Sequence, residues 1–165
     1  LAIGLAMKDN LANFAGGVMI LISKPFRGGD YITYQTFEGT VESIGILHTI
    51  LRTGDNKTVY IPNGPLSTGN ITNNNSLDGT LRTVILVNVD YGTDVEEVKT
   101  LLQEIAAEHP KVLKQPPPFA RMTKINLASL EFTVRVWAKK SDLAEVNNDL
   151  TETIYTRLHE RKMIT

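Results

Sequence analysis

The chain contains no cysteine, which excludes disulfide frameworks and thiolate metal sites. It has only three histidines, His48, His109 and His159, too far apart to form a helical metal-binding pair. Charge of one sign is also lacking. Seventeen basic residues against eighteen acidic ones give a net charge of −1, so no general attraction to phosphate backbones or anionic surfaces is expected. Neither a G-x-G-x-x-G nor a G-x-x-x-x-G-K-[ST] loop occurs, and no catalytic constellation, cofactor site or metal site emerges from the residue pattern. The apolar runs Leu1–Met7 and Phe14–Ile22 each fall short of the ~20 residues that cross a bilayer. Between them stand Lys8, Asp9 and Asn10. The chain starts at Leu1 inside apolar sequence without a charged leader, and we expect a fragment cut at both ends.

What is present begins with a helical pattern. With ~100° per residue, Leu5, Lys8 and Ala12 lie within about 40° of Leu1 on a wheel. Gly4 flanks that stripe on one side, and Ala2 with Ala6 on the other, so neighbouring helices would approach closely beside the bulky face. Lys24-Pro25 ends the helix, because proline disfavours helical backbone in the residue before it. The pair Gly16-Gly17 costs roughly 1 kcal/mol per glycine relative to alanine, which implies a kink or a close backbone contact.

From Asp30 to about Asn75 the signals are β. Tyr31–Gln35 reads as a short strand and Thr40–Thr53 as a long β-branched one with a bulge or bend at Gly45. Thr58–Ile61 reads as the returning strand, Pro62-Asn63-Gly64-Pro65 as a turn and Ser67–Asn74 as a last strand. Five short strands around tight turns predict a small barrel or sandwich. From Leu81 strand and helix alternate. Leu81, Thr83, Ile85, Val87 and Val89 share one strand face, Thr93 and Glu96 form a capping box, and Val95, Val98, Leu102 and Ile105 make a helical stripe. Two strands follow, Arg121–Leu127 and Leu130–Ala138. Ser141 and Asp142 then cap a helix carrying Leu143, Val146, Leu150, Ile154 and Leu158. This β-α-β-β-α order predicts an α+β ferredoxin-like unit lacking its final strand.

Individual polar residues read plainly. His48 alternates with Ile46 and Ile50 as a packed or interface side chain, His109 ends a helix where it favours the last carbonyls, and Glu96, Glu97, Glu104 and Glu108 form a solvated face. Trp137 points to the strand side opposite the expected core. A soluble Sm-like RNA-binding module is the alternative function. It would use Arg27, Arg52 and Lys57 with Tyr31, Tyr34 and Phe37, although near-neutral charge and the apolar entry helix oppose it.

Several motifs occur in a distinctive order: Leu1-Ala2-Ile3-Gly4-Leu5-Ala6, Asn13-Phe14-Ala15-Gly16-Gly17 and Lys24-Pro25-Phe26-Arg27-Gly28-Gly29-Asp30-Tyr31-Ile32. Then come Gly39-Thr40-Val41-Glu42-Ser43-Ile44, Leu51-Arg52-Thr53-Gly54-Asp55, Ile61-Pro62-Asn63-Gly64 and Phe132-Thr133-Val134-Arg135-Val136-Trp137. Together they resemble the conserved region of the small-conductance mechanosensitive channel (MscS) family along almost the whole chain. The resemblance implies a membrane channel fragment and not an enzyme. Residues 1–26 would be the pore-lining third transmembrane helix, 27–76 a five-stranded Sm-like β-barrel and 77–165 the α/β ferredoxin-like domain. It further implies a homoheptamer in the bacterial cytoplasmic (inner) membrane, with both folded domains in the cytoplasm. Its partners would be membrane lipids and permeating ions and small solutes, with no nucleic acid.

By the same resemblance, Leu1 and Leu5 form the closed constriction, about 6 Å apart along the axis at 1.5 Å per residue. Ala2, Gly4 and Ala6 would be the packing surface between helices, and Lys8 a pore-facing charge. Pro25, Phe26 and Arg27 would mark the membrane edge, with Phe26 at headgroup level. Some members kink the helix at a glycine where this chain has Asp9. The bend is therefore expected at Asn13, Gly16 and Gly17, where helix propensity is weakest.

Overall fold

The computed structural model describes residues 1–75 and 78–165. The chain divides into two compact units, Leu1–Ser76 and Leu77–Thr165. The expected boundary between residues 76 and 77 falls outside the described residues.

The first unit opens with α1 (Ala2–Ala6) and α2 (Lys8–Ser23), interrupted at Met7. The helix expected over residues 1–26 is thus two helices, and the second stops at Ser23. α2 continues through Asn13, Gly16 and Gly17, where the bend is expected, and the break in the helical run falls at Met7. Its place before Lys8-Asp9-Asn10 has a local cause. Asp9 lies in the first turn of α2, where a carboxylate favours the positive end of a new helix dipole.

Five strands follow: β1 (Tyr31–Tyr34), β2 (Phe37–Ile44), β3 (His48–Arg52), β4 (Thr58–Pro62) and, after α3 (Asn63–Thr68), β5 (Ile71–Asn73). They form one antiparallel sheet in the order β4-β3-β2-β1-β5. The single strand expected over Thr40–Thr53 is a hairpin; its bulge lies between Val41 and Ser43, and Gly45 is the bend. Gly45 begins the reversal, its N–H donating to the His48 carbonyl at 2.8 Å. The expected turn Pro62-Asn63-Gly64-Pro65 begins α3, and the strand expected over Ser67–Asn74 shrinks to β5. Pro65 is tolerated because it sits in the first helical turn, where its missing N–H breaks no helical bond. His48 is exposed, opposite Pro62.

Ile20, Phe26, Ile32, Tyr34, Val41, Leu51, Ile61 and Leu66 make the core of this unit. Phe26 is 1% exposed and belongs to this core.

The second unit contains β6 (Thr80–Val89), α4 (Val95–Glu108), β7 (Phe119–Ile125), β8 (Leu130–Lys139) and α5 (Leu143–Glu160). Its antiparallel sheet has the order β6-β8-β7. Period-two alternation sends Ile85, Val87 and Val89 of β6 and Phe132, Val134 and Val136 of β8 into one core with the apolar stripes of α4 and α5. Trp137 lies on the other face of β8, half-buried opposite Arg82.

Three end signals differ from expectation. Asp94 caps α4 by accepting the Glu97 N–H at 2.9 Å, while the Thr93 hydroxyl donates to the Asp90 carbonyl. Ser141 and Asp142 lie in a 3-10 turn (Lys140–Asp142) and give α5 no side-chain cap. His109 does not serve the last carbonyls of α4. Its Nδ1 accepts the Lys111 N–H and its Nε2 lies 3.0 Å from Asp149.

Candidate functional site: the apolar helices and their clasp

The residues singled out for function gather in the first unit, on α1, α2 and the elements under α2. Every residue of α1 is exposed, as are Leu1 and Lys8. Ile3, Leu5, Met7, Leu11, Phe14 and Met19 all present large apolar side chains to solvent. A folded surface rarely carries so many exposed apolar side chains along one helical segment unless another surface covers them. Leu1, Leu5, Ala2, Gly4 and Ala6 touch no other element strongly. Among the described residues no helix is long and apolar enough to cross a membrane. At 1.5 Å per residue the sixteen residues of α2 span about 24 Å, against a hydrocarbon core of ~30 Å.

From Asn13 onward α2 is anchored. Gly16 and Gly17 are buried, and a side chain at either would collide with what lies beneath. A Cβ on Gly16 would stand 2.4 Å from the Asn63 carbonyl oxygen, and one on Gly17 would stand 2.8 Å from the Ile46 carbonyl oxygen. The glycine pair therefore serves close backbone contact. Gly64 answers from α3, where an added Cβ would meet the Asn13 side-chain oxygen at 3.0 Å. That same oxygen accepts the Gly64 N–H at 2.9 Å, tying α2 to the start of α3.

Asn63 organises the surface that α2 rests on. Its side chain is fully buried and uses both ends. The amide NH2 donates to the carbonyls of Gly45 and Ile46 at 2.9 and 3.2 Å, and the oxygen accepts from the Thr49 hydroxyl at 2.8 Å. Its backbone N–H donates to Leu47. One side chain thus binds the β2–β3 reversal, β3 and α3 together, and each buried polar atom finds the partner that burial demands. Asn63, Thr49 and Gly64 escaped the site prediction. The only signal was an Asn-Gly pair, which ordinarily marks a turn. A groove of about 710 Å3 lies beside this clasp, between α2 and α3.

The structure does not assemble the nucleic-acid alternative. Tyr34 is buried, Arg52 is paired with Glu42 at 2.7 Å, and Lys57 with Asp55 at 2.6 Å. Burial, reinforced by neighbouring Glu38, pushes the Tyr31 phenol up, and a carboxylate there repels phosphate. Among the described residues no three His, Asp or Glu side chains gather as a metal-binding group.

Comparison with known proteins gives two family matches. "Mechanosensitive ion channel, beta-domain" matches residues 9–76, and "Mechanosensitive ion channel MscS, C-terminal" matches residues 83–163. A small-conductance mechanosensitive channel of Edwardsiella ictaluri is 37% identical over 152 residues, covering 92% of this chain and 53% of that protein. One from Helicobacter pylori is 35% identical over 159 residues, covering 96% and 58%. The chain thus spans little more than half the length of these curated relatives. The closed-state crystal structure of Helicobacter pylori MscS superposes with a TM-score of 0.90 at 35% identity, covering 96% of this chain and 63% of that one. Arabidopsis thaliana MSL1 shares the fold, with a TM-score of 0.78 at 21% identity over 98% of this chain and 60% of that one.

Proposed function

Because the chain belongs to the MscS family of mechanosensitive ion channels, we propose that it forms part of a channel subunit opened by membrane tension, releasing ions and small solutes during hypo-osmotic shock. The observation that carries this reading is the exposed apolar strip of α1 and α2, joined without a side-chain spacer to a folded β unit. Such a strip needs a cover. Copies of α1 packed around an axis supply it, and Ala2, Gly4 and Ala6 let the backbones come close. The subunits form a homo-oligomer, a heptamer by resemblance, in the bacterial inner membrane. Residues 27–76 act as its Sm-like middle domain and 77–165 as its ferredoxin-like domain, both on the cytoplasmic side.

In this ring Leu1 and Leu5 face the axis and form a dry neck that excludes ions by dewetting. Lys8 follows where water enters, since a charge facing lipid would be expensive. The break at Met7 divides the assembly into a sealing helix and an anchored helix. Arg27 stands at the membrane edge beside Pro25. Single-channel recording of the membrane-inserted protein tests the seal. Leu1→Ser and Leu5→Ser should each open at lower tension or leak at rest. Both variants gating as the parent would remove the assignment.

A further inference from the structure

Asn63-Gly64 is the sole Asn-Gly pair of the sequence. Such a pair carries its own reaction, because glycine has no side chain to shield its nitrogen. The Gly64 nitrogen attacks the Asn63 side-chain carbonyl carbon and gives up its proton to hydroxide. The new N–C bond closes a five-membered imide, and the Nδ2 group departs as ammonia with a proton from water. Water then opens the imide at either carbonyl, leaving aspartate or isoaspartate at position 63. In an exposed turn nothing opposes these steps.

This fold opposes each of them. The nucleophile is engaged, since the Gly64 N–H donates to the Asn13 side-chain oxygen at 2.9 Å. The leaving group is engaged as well, donating to the carbonyls of Gly45 and Ile46, while the carbonyl under attack is pinned by the Thr49 hydroxyl at 2.8 Å. Asn63 is also the first residue of α3, and closing the imide would take its backbone out of the helical region. Attack needs the reacting atoms close and aligned, and these bonds commit both groups to other partners.

Exclusion of water is not the guard. The groove between α2 and α3 is lined by Pro62 and Gly64 as well as Asn13 and Gly16, so solvent reaches the edge of the pair. The guard is α2. A Cβ on Gly16 would stand 2.4 Å from the Asn63 carbonyl oxygen, and one on Gly17 would stand 2.7 Å from its Nδ2. The seated helix therefore occupies the Gly64 N–H and covers Asn63 at once.

We propose that Asn63 is a modification site gated by α2, inert while the helix is seated and deamidated once it lifts. The product is a latch. A carboxylate only accepts hydrogen bonds, so at this unexposed position it would turn charge on the Gly45 and Ile46 carbonyls that now receive N–H groups. Isoaspartate adds a methylene to the backbone and moves Gly64 off Asn13. Either product keeps α2 from returning, so a transient lift becomes a permanent one. None of this depends on whether the helix lines a pore.

Incubation of the 165-residue chain in mildly alkaline buffer, followed by peptide mass spectrometry at position 63, tests the gate. The urea-unfolded chain gives the unprotected rate. The folded parent should react at least about 100-fold more slowly, as expected when the open form is ~1% of molecules or fewer. Asn13→Ala, which frees the Gly64 N–H, should speed the folded chain about fivefold, and Gly16→Ala about tenfold or more. Unfolded, all three should react alike. Phe132→Ala weakens the other unit and should leave the rate at position 63 unchanged. Asn63→Asp, made directly, should speed exchange of the Gly64 amide. A parent as reactive as its unfolded form, Asn13→Ala as slow as the parent, or Phe132→Ala as fast as Gly16→Ala would each overturn the gate. Parent-like protection of Gly64 in Asn63→Asp would overturn the latch. Circular dichroism matching the parent separates a lifted helix from an unfolded chain, and should Gly16→Ala not fold, Asn13→Ala carries the test.

Discussion

The two units reach stability by different means. The second packs β6, β8, α4 and α5 around an almost wholly apolar core, in which Leu101, Leu102, Phe132, Val134 and Leu150 are fully buried. Its helices are cross-linked on the surface by ion pairs: Arg157 to Glu108 at 2.5 Å, Arg161 to Glu97 at 3.4 Å and Lys111 to Glu145 at 2.6 Å. Those contacts hold the Lys111 ammonium and the Arg157 guanidinium above their ordinary pKa values, the hydrogen bonds to Glu145 and Glu108 being the main causes. Exposed pairs of this kind contribute little each, so the apolar core dominates.

The first unit has a smaller core and places fully buried Asn63 and Thr49 beneath its helix. Hydrophobic burial is indifferent to small displacements, but a hydrogen-bonded buried amide is not. One unit is built for bulk stability. The other is built to hold α2 at a defined position.

That contrast can be broken from either side. Phe132→Ala should have the largest effect, destabilising the second unit by ~3–5 kcal/mol through lost burial and a cavity. Chemical denaturation monitored at Trp137 reads it, while exchange protection of the Gly64 amide in the first unit should not change. Gly16→Ala comes next. Its Cβ would meet the Asn63 carbonyl oxygen at 2.4 Å, and that partner is backbone with little room to yield. We expect α2 to lift from α3 at a cost of ~1–3 kcal/mol. The Gly64 N–H, which Asn13 accepts, should then exchange faster, with Trp137 fluorescence unaltered. Equal protection in the variant would show that the clasp tolerates a side chain.

The smallest effect separates the clasp from an ordinary surface loop. Hydrogen bonds from Lys57 and then Thr53 hold the exposed Asp55 carboxyl below its usual range. Its stabilisation of the β3–β4 hairpin is present above the ordinary carboxylate pKa of ~3.9 and is lost as pH falls through the lowered folded value. The loop amides should loosen on that acid limb while the Gly64 amide does not. Asp55→Asn should abolish the loop's pH response, and persistence of that response would assign it elsewhere.

Much of the second unit was legible because its signals are local. Alternation gave β6 and β8, and helical spacing gave the inward face of α4 and α5. The cap of α4 was misread by one residue because Thr93…Glu96 and Asp94…Glu97 offer overlapping signals, and the Asp94 contact alone is made. In the first unit the errors share a long-range cause. The β-branched run Thr40–Thr53 becomes a hairpin where Asn63, seventeen and eighteen residues away, holds the carbonyls of Ile46 and Gly45. The Gly16-Gly17 pair was recognised as unusual, but its choice between bend and contact depends on α3, which itself looked like a turn. The burial of Phe26 is not legible locally either, because it depends on strands that follow it.

A joint made by Gly16 against the Asn63 backbone has little compliance. Where two elements meet through long side chains, a displacement of one is absorbed by rotamer changes and dies out within a residue or two. Here no Cβ lies between them on the helix side, and the Asn63 side chain is spent on three partners. A shift of α2 therefore passes undamped into the turn between β2 and β3, as a rod set in a rigid socket moves its mount.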